Sequence, residues 1–425
     1  MRIQTAPGRP LRGRIRVPGD KSISHRALMF NGLGRGEARI EGLLDALDVQ
    51  ATAACLRSLG VRIEPSGTAM VVSGLGGRLR EPSGVLDCGN SGTSMRLLAG
   101  LVAGQDLFAV LAGDRSLNRR PMGRVTMPLR SMGAVIDGPG EGTRPPLAIR
   151  GGGLVAGPCV SPIASAQVKS SLILATLGAR EGRLCFREPS RSRDHTERML
   201  RAMGVDIEER DGALLVDAGQ VPECRDVVVP GDISSAAFFL VAASIVPGSD
   251  LVVENVGTNP TRSGVLDVLE AMGASLELLD SREVSGEPVA DIRVRPTRLR
   301  GARIDGELIP RLIDEIPVLA VAAAFADGET VVADAGEARV KESDRIAATV
   351  AGLRACGVEV EERPDGLALM GGGFTGGSVD ARDDHRIAMA FAVGGCAGGE
   401  VTVEDASAVR TSFPTFTSLL EAARA

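Results

Sequence analysis

Leu56-Arg-Ser-Leu-Gly-Val-Arg-Ile-Glu64 decides the fold, because the chain says nearly the same thing four more times. The phrase returns as Leu129-Arg-Ser-Met-Gly-Ala-Val-Ile-Asp137, Leu200-Arg-Ala-Met-Gly-Val-Asp-Ile-Glu208, Leu269-Glu-Ala-Met-Gly-Ala-Ser-Leu-Glu277 and Leu353-Arg-Ala-Cys-Gly-Val-Glu-Val-Glu361, and a truncated copy, Leu420-Glu-Ala-Ala-Arg-Ala425, closes the chain. Each copy reads as the last turn of a helix, a glycine at its C-terminal cap and an alternating strand. Gly60, Gly133, Gly204, Gly273 and Gly357 can take the left-handed conformation that ends a helix. The copies stand roughly seventy residues apart, well beyond the roughly 20–50 residues of a solenoid repeat, so each holds several strands and two helices. The fold class is α/β (α+β), with six units in two groups of three.

A second echo supports that division. Pro18-Gly-Asp-Lys-Ser-Ile-Ser24 is answered about half a chain later by Pro230-Gly-Asp-Ile-Ser-Ser235, each between a β-rich segment and an apolar helix. Both read as matching starts of the two halves; the plainer alternative is two turns with an Asp helix cap. A chain of 425 residues exceeds the roughly 250–300 at which a single core stops growing, which also points to two domains.

The net charge of −6 and the absence of tryptophan and tyrosine exclude a general nucleic-acid binder, which needs a basic face and stacking surface. A local cationic cleft for a small anion remains open on an acidic protein. Seven scattered cysteines without paired spacing read as buried thiols in a reducing compartment. Arg2, Arg9, Arg12, Arg14 and Arg16 precede the first acid, Asp20, but Gly13–Val17 alternates like a strand and no apolar signal core follows. No stretch approaches the roughly 20 apolar residues of a membrane span. The expectation is a soluble, cytoplasmic protein.

Of 48 basic residues only Lys21, Lys169 and Lys341 are lysines, and each sits in a polar cluster: DKSISHR, SAQVKSS and RVKESDR. Lysine is a compact charge whose pKa shifts readily, unlike the fixed arginine fork, so these clusters are where chemistry is expected. His25, His195 and His385 likewise stand beside charged residues.

The polar groups gather at helix starts. Asp20 caps a helix whose first turn holds Lys21, Ser22 and Ser24, with Arg26 following; free N–H groups and the helix dipole there favour a carboxylate or phosphate. Gly89-Asn-Ser-Gly-Thr93 runs into a helix over 94–99. Arg120, before Pro121, is biased to extended backbone and projects from a loop. Ser165-Ala-Gln-Val-Lys-Ser170 opens a helix that ends near Gly178, and Arg193-Asp-His-Thr-Glu197 opens another. In Leu312-Ile-Asp-Glu-Ile-Pro317, Asp314 and Glu315 either cap an apolar helix over 318–326 or supply an acid–base carboxylate. Lys341-Glu-Ser-Asp-Arg345 and Asp383-Asp-His-Arg386 enter two more helices, either as solvated ion pairs or as a site. Facing one another across the halves, such starts would make a cleft for a strongly anionic ligand.

Taken in order, PGDKSISHR, GNSGT, RPMGRV, SAQVKS, RDHTE, IDEIP, RVKESDR, DHRIAM and TSFP closely resemble the 5-enolpyruvylshikimate-3-phosphate (EPSP) synthase family, in its class II-like bacterial form. The resemblance implies a two-domain inside-out α/β barrel of six βαβαββ repeats, three per domain. Residues 20–230 would form the first domain and 1–19 with 231–425 the second, with the active site in the interdomain cleft. It implies transfer of the enolpyruvyl group of phosphoenolpyruvate to the 5-hydroxyl of shikimate 3-phosphate by a cytoplasmic monomer without metal or cofactor. Shikimate 3-phosphate would be held by Lys21, Ser22, Arg26, Ser165, Gln167, Arg193, Asp314 and Lys341, and phosphoenolpyruvate by Lys21, Gly92, Arg120, Gln167, Arg345 and Arg386. Asp314, Glu342 and Lys21 would move protons. The chain departs from some members at Ala166 (serine), Glu337 (asparagine) and Thr411 (lysine). Gly92, alanine in some glyphosate-tolerant members, implies sensitivity to that inhibitor.

Two other readings fit less well. UDP-N-acetylglucosamine enolpyruvyl transferases carry a reactive cysteine in the loop matching residues 112–121, which has none here, and an asparagine where Ser22 stands. A non-catalytic repeat scaffold gives no reason for lysines, acids and arginines to gather at helix starts.

Overall fold

The computed structural model describes residues Met1–Arg424; Ala425, the last residue of the truncated copy, lies outside the described residues. The chain divides into two compact units. One is Lys21–Val229 together with Val284–Gly286; the other is Met1–Asp20 and the chain from Pro230 onward apart from that short segment.

Each full copy of the repeated phrase lies in a unit of four strands and two helices. In the copy containing Leu129, the strands are Leu86–Asp87, Phe108–Ala112, Val135–Asp137 and Leu147–Arg150, with helices Gly92–Ala103 and Gly123–Ser131 between them. The first two strands pair in parallel, with Leu86 opposite Leu111, and the last two form an antiparallel hairpin beside the second. All five glycines of the phrase have positive φ, from +83° at Gly204 to +111° at Gly133, so the cap is the device that turns each helix into its strand.

Three of the six units are not continuous in sequence. The copy containing Leu56 takes its first strand, Val227–Val228, from the far end of its unit, in parallel with Glu37–Glu41. The copy containing Leu269 takes its first strand from Arg12–Arg16, parallel to Asp250–Gly257. The truncated last copy has no hairpin, and Ile3–Thr5 pairs antiparallel with Val401–Glu404 in the place a hairpin strand holds elsewhere. The arginine-rich N-terminus is therefore sheet: Arg14 and Arg16 both bridge Glu254, and Arg14 reaches Asp291 at 2.7 Å.

The first helix of every copy is buried on all sides. In Ile233–Ile245 every residue through Ser244 is buried, and Ile316–Ala324 is buried throughout. A helix apolar all round belongs in a core, and the sheets cover it with one face while the other meets solvent. On Arg62–Ser66, for example, Ile63 is buried between exposed Arg62 and Glu64. Helices Gly92–Ala103 and Ala166–Leu177 touch backbone to backbone at Gly100, where a Cβ would stand 2.0 Å from the Ser171 carbonyl oxygen. The helix of the truncated copy, Phe416–Ala423, is fastened instead by aromatic edges: Phe416 meets Phe238 at 5.9 Å and Phe413 at 5.6 Å between ring centres.

The echoed phrases bond to each other reciprocally. Asp20 N donates to the Pro230 carbonyl at 2.8 Å and Asp232 N to the Pro18 carbonyl at 2.9 Å, about an antiparallel bridge between Gly19 and Gly231. No helix among the described residues is long and apolar enough to cross a membrane. Of the seven thiols, all free, Cys159, Cys185 and Cys224 are only partly covered, so the expectation of buried thiols holds for the other four.

Gly204 isolates the backbone requirement of the phrase, because a Cβ there would meet nothing within 4 Å while φ is +83°. Gly204→Ala is expected to lower stability by about 1–2 kcal/mol, and Gly204→Asn by distinctly less, since Asn tolerates this region. Denaturant midpoints check this; an equal loss for both substitutions would contradict it.

Candidate active site

In the unit built from Lys21–Val229, chemistry collects where central helices begin. Lys21 is the first residue of helix Lys21–Leu33, and its Nζ lies 3.1 Å from Asp48 Oδ2 on helix Leu47–Ser58. One turn further along both helices His25 Nδ1 meets Thr52 Oγ1 at 2.7 Å, so two i,i+4 pairs interlock. Thr52 passes the contact on to Ser94 at 2.6 Å. His25 is held well below the usual histidine pKa by burial first and by the Lys21 and Arg26 charges after it, so it stands neutral.

Arg26 is buried and ties three elements together: Nε donates to Thr196 Oγ1 at 2.7 Å, Nη2 to Ser170 Oγ at 2.8 Å and Nη1 to the Ser22 carbonyl at 2.9 Å. Helix Gly92–Ala103 starts two residues before the expected 94, capped by Ser91, whose hydroxyl accepts from Ser94 N. A Cβ on Gly92 would stand 3.0 Å from Arg96 Nη1 and 3.3 Å from Arg120 Nη1, so the glycine leaves room for two guanidinium groups over the helix start. Arg120 has the expected extended backbone but is buried instead of projecting, and donates to Asn90 Oδ1 at 2.5 Å. Arg96 Nη1 donates to Gln167 Oε1 at 2.6 Å, and Gln167 Nε2 to Thr93 Oγ1 at 2.9 Å. Ser165 caps helix Ala166–Leu177, and Arg193 stands two residues before helix His195–Ala202. Lys169 has a structural assignment: buried, it lies 2.7 Å from Glu197 Oε1 and 3.2 Å from both Glu188 Oε1 and the Ser192 carbonyl.

The other unit concentrates charge below its surface. Arg345 opens helix Arg345–Ala355 with its side chain 1% exposed. Its Nε donates to Asp384 Oδ2 at 2.8 Å, Nη1 to Asp314 Oδ1 at 2.9 Å, and Nη2 to Glu342 Oε2 and, at 3.4 Å, Asp384 Oδ1. Burial alone would lower the Arg345 pKa; Asp384, Glu342 and Asp314 outweigh it and hold the group above its usual range. Asp384 is depressed, because Arg345 and then His385 overcome the burial that would raise it. Lys341 Nζ lies 3.5 Å from Asp314 Oδ1. These ion pairs are not the solvated helix-face bridges that RVKESDR alone permits.

The capping reading of Asp314 and Glu315 fails. The helix runs Ile316–Ala324, Glu315 occupies its N-cap without a side-chain cap bond, and its carboxylate is fully buried among Ser234, Arg262 and Arg386. Helix His385–Gly394 is capped by Asp384 through Arg386 N, so the second half of the Asp383–Arg386 cluster already lies inside the helix. Asp48, Arg96 and Arg262 were not singled out by the sequence. Arg96 carried a signal, four residues after Gly92 on one helix face; Asp48 and Arg262 are distant in the chain from their partners and carried none. Among the described residues no group of three or more His, Cys, Asp or Glu could hold a metal ion.

Residues 5–420 match the EPSP synthase (3-phosphoshikimate 1-carboxyvinyltransferase) family. This chain belongs to that family. A 3-phosphoshikimate 1-carboxyvinyltransferase from Geobacter metallireducens is 55% identical over 98% of this chain and 97% of its own length. A solved EPSP synthase from Acinetobacter baumannii superposes with a TM-score of 0.88 at 43% identity, covering 100% of this chain and 98% of that one. The enolpyruvyl transferase NikO from Streptomyces tendae, at 17% identity and TM-score 0.77 over 99% of this chain and 96% of its own, shares the fold. The architecture is thus the two-domain inside-out α/β fold of the EPSP synthases. Where the chain departs from other members, Ala166 is the first residue of its helix, Glu337 lies in the turn Gly336–Val340, and Thr411 turns its hydroxyl onto the Ala408 carbonyl at 2.7 Å.

Asp232, which caps helix Ile233–Ile245, is pushed up to about 6 by burial and then by Asp20, against the pull of Arg262 and Arg386. A carboxyl raised in the folded state binds its proton more tightly there, so its stabilising share is complete below about pH 4 and is lost as pH rises through about 6. Asp232→Asn keeps the cap and should gain on wild type across that window by at most about 3 kcal/mol. Parallel stability–pH profiles for the two proteins would contradict this.

Proposed function

We propose that this chain transfers the enolpyruvyl group of phosphoenolpyruvate to the 5-hydroxyl of shikimate 3-phosphate and releases phosphate, supplying the route to chorismate and the aromatic amino acids. The observation that carries the reading is the cluster of Lys341, Asp314, Arg345 and Glu342, two cations and two carboxylates of which each lies within 3.5 Å of the next in that order, in a chain matched to its family almost end to end. Shikimate 3-phosphate is assigned to Lys21, Ser22, Arg26, Ser165, Gln167, Arg193, Asp314 and Lys341, and phosphoenolpyruvate to Lys21, Gly92, Arg120, Gln167, Arg345 and Arg386.

In this scheme the 5-oxygen bonds to C2 of phosphoenolpyruvate as its proton passes to Asp314, and C3 gains a proton, a transfer assigned to Glu342 and Lys21. The tetrahedral product then breaks its C2–O bond to phosphate, which leaves with the proton that Asp314 took from the hydroxyl, and C3 returns its proton to the group that gave it, restoring the double bond. Arginines and the helix start at Gly92 stabilise the carboxylate and the departing phosphate through charge-assisted bonds. Seven free thiols suit a reducing cytoplasm, where the enzyme acts as a monomer.

Phosphate release from phosphoenolpyruvate is expected with shikimate 3-phosphate as acceptor and not with UDP-N-acetylglucosamine; release only with the second, or with neither, defeats the proposal. Lys21→Arg should cut kcat/KM by roughly 100-fold or more, since a planar fork cannot replace a compact ammonium at a fitted position. Glyphosate should inhibit in competition with phosphoenolpyruvate. Gly92→Ala should weaken that inhibition, because its Cβ crowds Arg96 and Arg120; a wild-type inhibition constant far above the phosphoenolpyruvate KM would contradict the Gly92 argument.

A further inference from the structure

Two arginines assigned to phosphoenolpyruvate differ in what they have left to offer. Arg345 is engaged by Asp314, Glu342 and Asp384 through every nitrogen of its guanidinium. Arg386 gives its guanidinium to one protein acceptor among the described residues, Glu315 Oε1, at 3.3 Å from Nη1. Its Nε and Nη2 stay available to an anion. The root of the side chain is fixed as well, since Arg386 N donates to Asp384 Oδ1 at 2.9 Å at the helix cap.

Glu315 is in turn held from behind. Arg262 Nη1 donates to its Oε2 at 2.7 Å and Nη2 to its Oε1 at 3.2 Å, and the Ser234 hydroxyl donates to Oε1. The Arg262 side chain is 4% exposed and Glu315 wholly buried. Replacing a buried ion network with apolar groups of similar size is often neutral or stabilising, so stability alone is a weak reason for two arginines to share one carboxylate here. Orientation is a stronger one, because a fork clamped on one side presents its other donors in a fixed plane.

We propose that Glu315, clamped by Arg262 and Ser234, is a positioning residue that sets the Arg386 guanidinium for the anionic groups of phosphoenolpyruvate. The inference rests on the proposed function, and Glu315 acts through Arg386 without touching substrate.

Steady-state phosphate release tests it with both substrates varied, on wild type, Glu315→Gln, Glu315→Asp and Ser234→Ala, with Gly204→Ala as a control weakened elsewhere. Glu315→Gln is expected to raise the phosphoenolpyruvate KM by roughly 10–100-fold while the shikimate 3-phosphate KM moves by less than about threefold, the scale of effect that misplacing a binding group produces. Glu315→Asp, which keeps the charge, should recover part of that loss, and the control should leave the ratio of the two KM values unmoved. Equal changes in both KM values, or a fall in kcat alone, would show a merely structural Glu315 and overturn the inference while leaving the proposed function intact. Wild type that releases no phosphate would overturn both. Should Glu315→Gln fail to fold, Ser234→Ala decides: a selective rise in the phosphoenolpyruvate KM supports the clamp, and an unchanged ratio refutes it.

Discussion

A helix that is apolar along most of its length carries its polar chemistry near its start, and both units of this protein are organised by that constraint. The central helices are sealed along their length by sheets and by one another, down to the backbone contact at Gly100. Their starts are where free N–H groups, caps and charged residues can coexist with a dry core. Lys21, Gly92, Ser165, Arg345 and Arg386 all stand within a residue of such a start or open a helix beside one.

Placing charge at the edge of a core creates a satisfaction problem that the fold solves with carboxylates. Asp48 takes Lys21, Glu315 takes Arg262 and Arg386, and Asp384 takes Arg345. An isolated buried charge is costly, and a hydrogen-bonded network is tolerated. In the proposed function the same pairing that makes the arginines bearable also aims them, which joins the electrostatics of folding to those proposed for ligand binding.

How much of this was legible in the sequence follows from the range of the interactions. The glycine caps are local, and the five from Gly60 to Gly357, with the truncated copy at Leu420, announced six repeated units and the helix-to-strand turn in the five full ones. The strands that three of those units borrow were not legible as pairings: Gly13–Val17 read as a strand without a partner, and Val227–Val228 and Ile3–Thr5 are short segments whose partners are set by the whole unit. The polar clusters marked helix starts to within two residues. Glu315 invited the capping reading because an acid before a helix beginning Ile-Pro looks like a cap, and its true partners, Arg262 and Ser234, lie 53 and 81 residues away. Lys169 shared the rarity of Lys21 and Lys341, yet its ammonium is consumed by Glu188 and Glu197; rarity of a residue type identifies constraint without saying whether the constraint is catalytic.

The claim that ligands are bound at the starts of the central helices is tested most directly by a crystal structure with shikimate 3-phosphate and phosphoenolpyruvate or an unreactive analogue. Ligand oxygens are expected within hydrogen-bonding distance of Lys21, Arg120, Lys341 and Arg386, with Glu315 still on Arg386 and away from the ligands. Anions seated at the glycine-capped helix ends, or a bound state in which those four cations touch neither substrate, would contradict it.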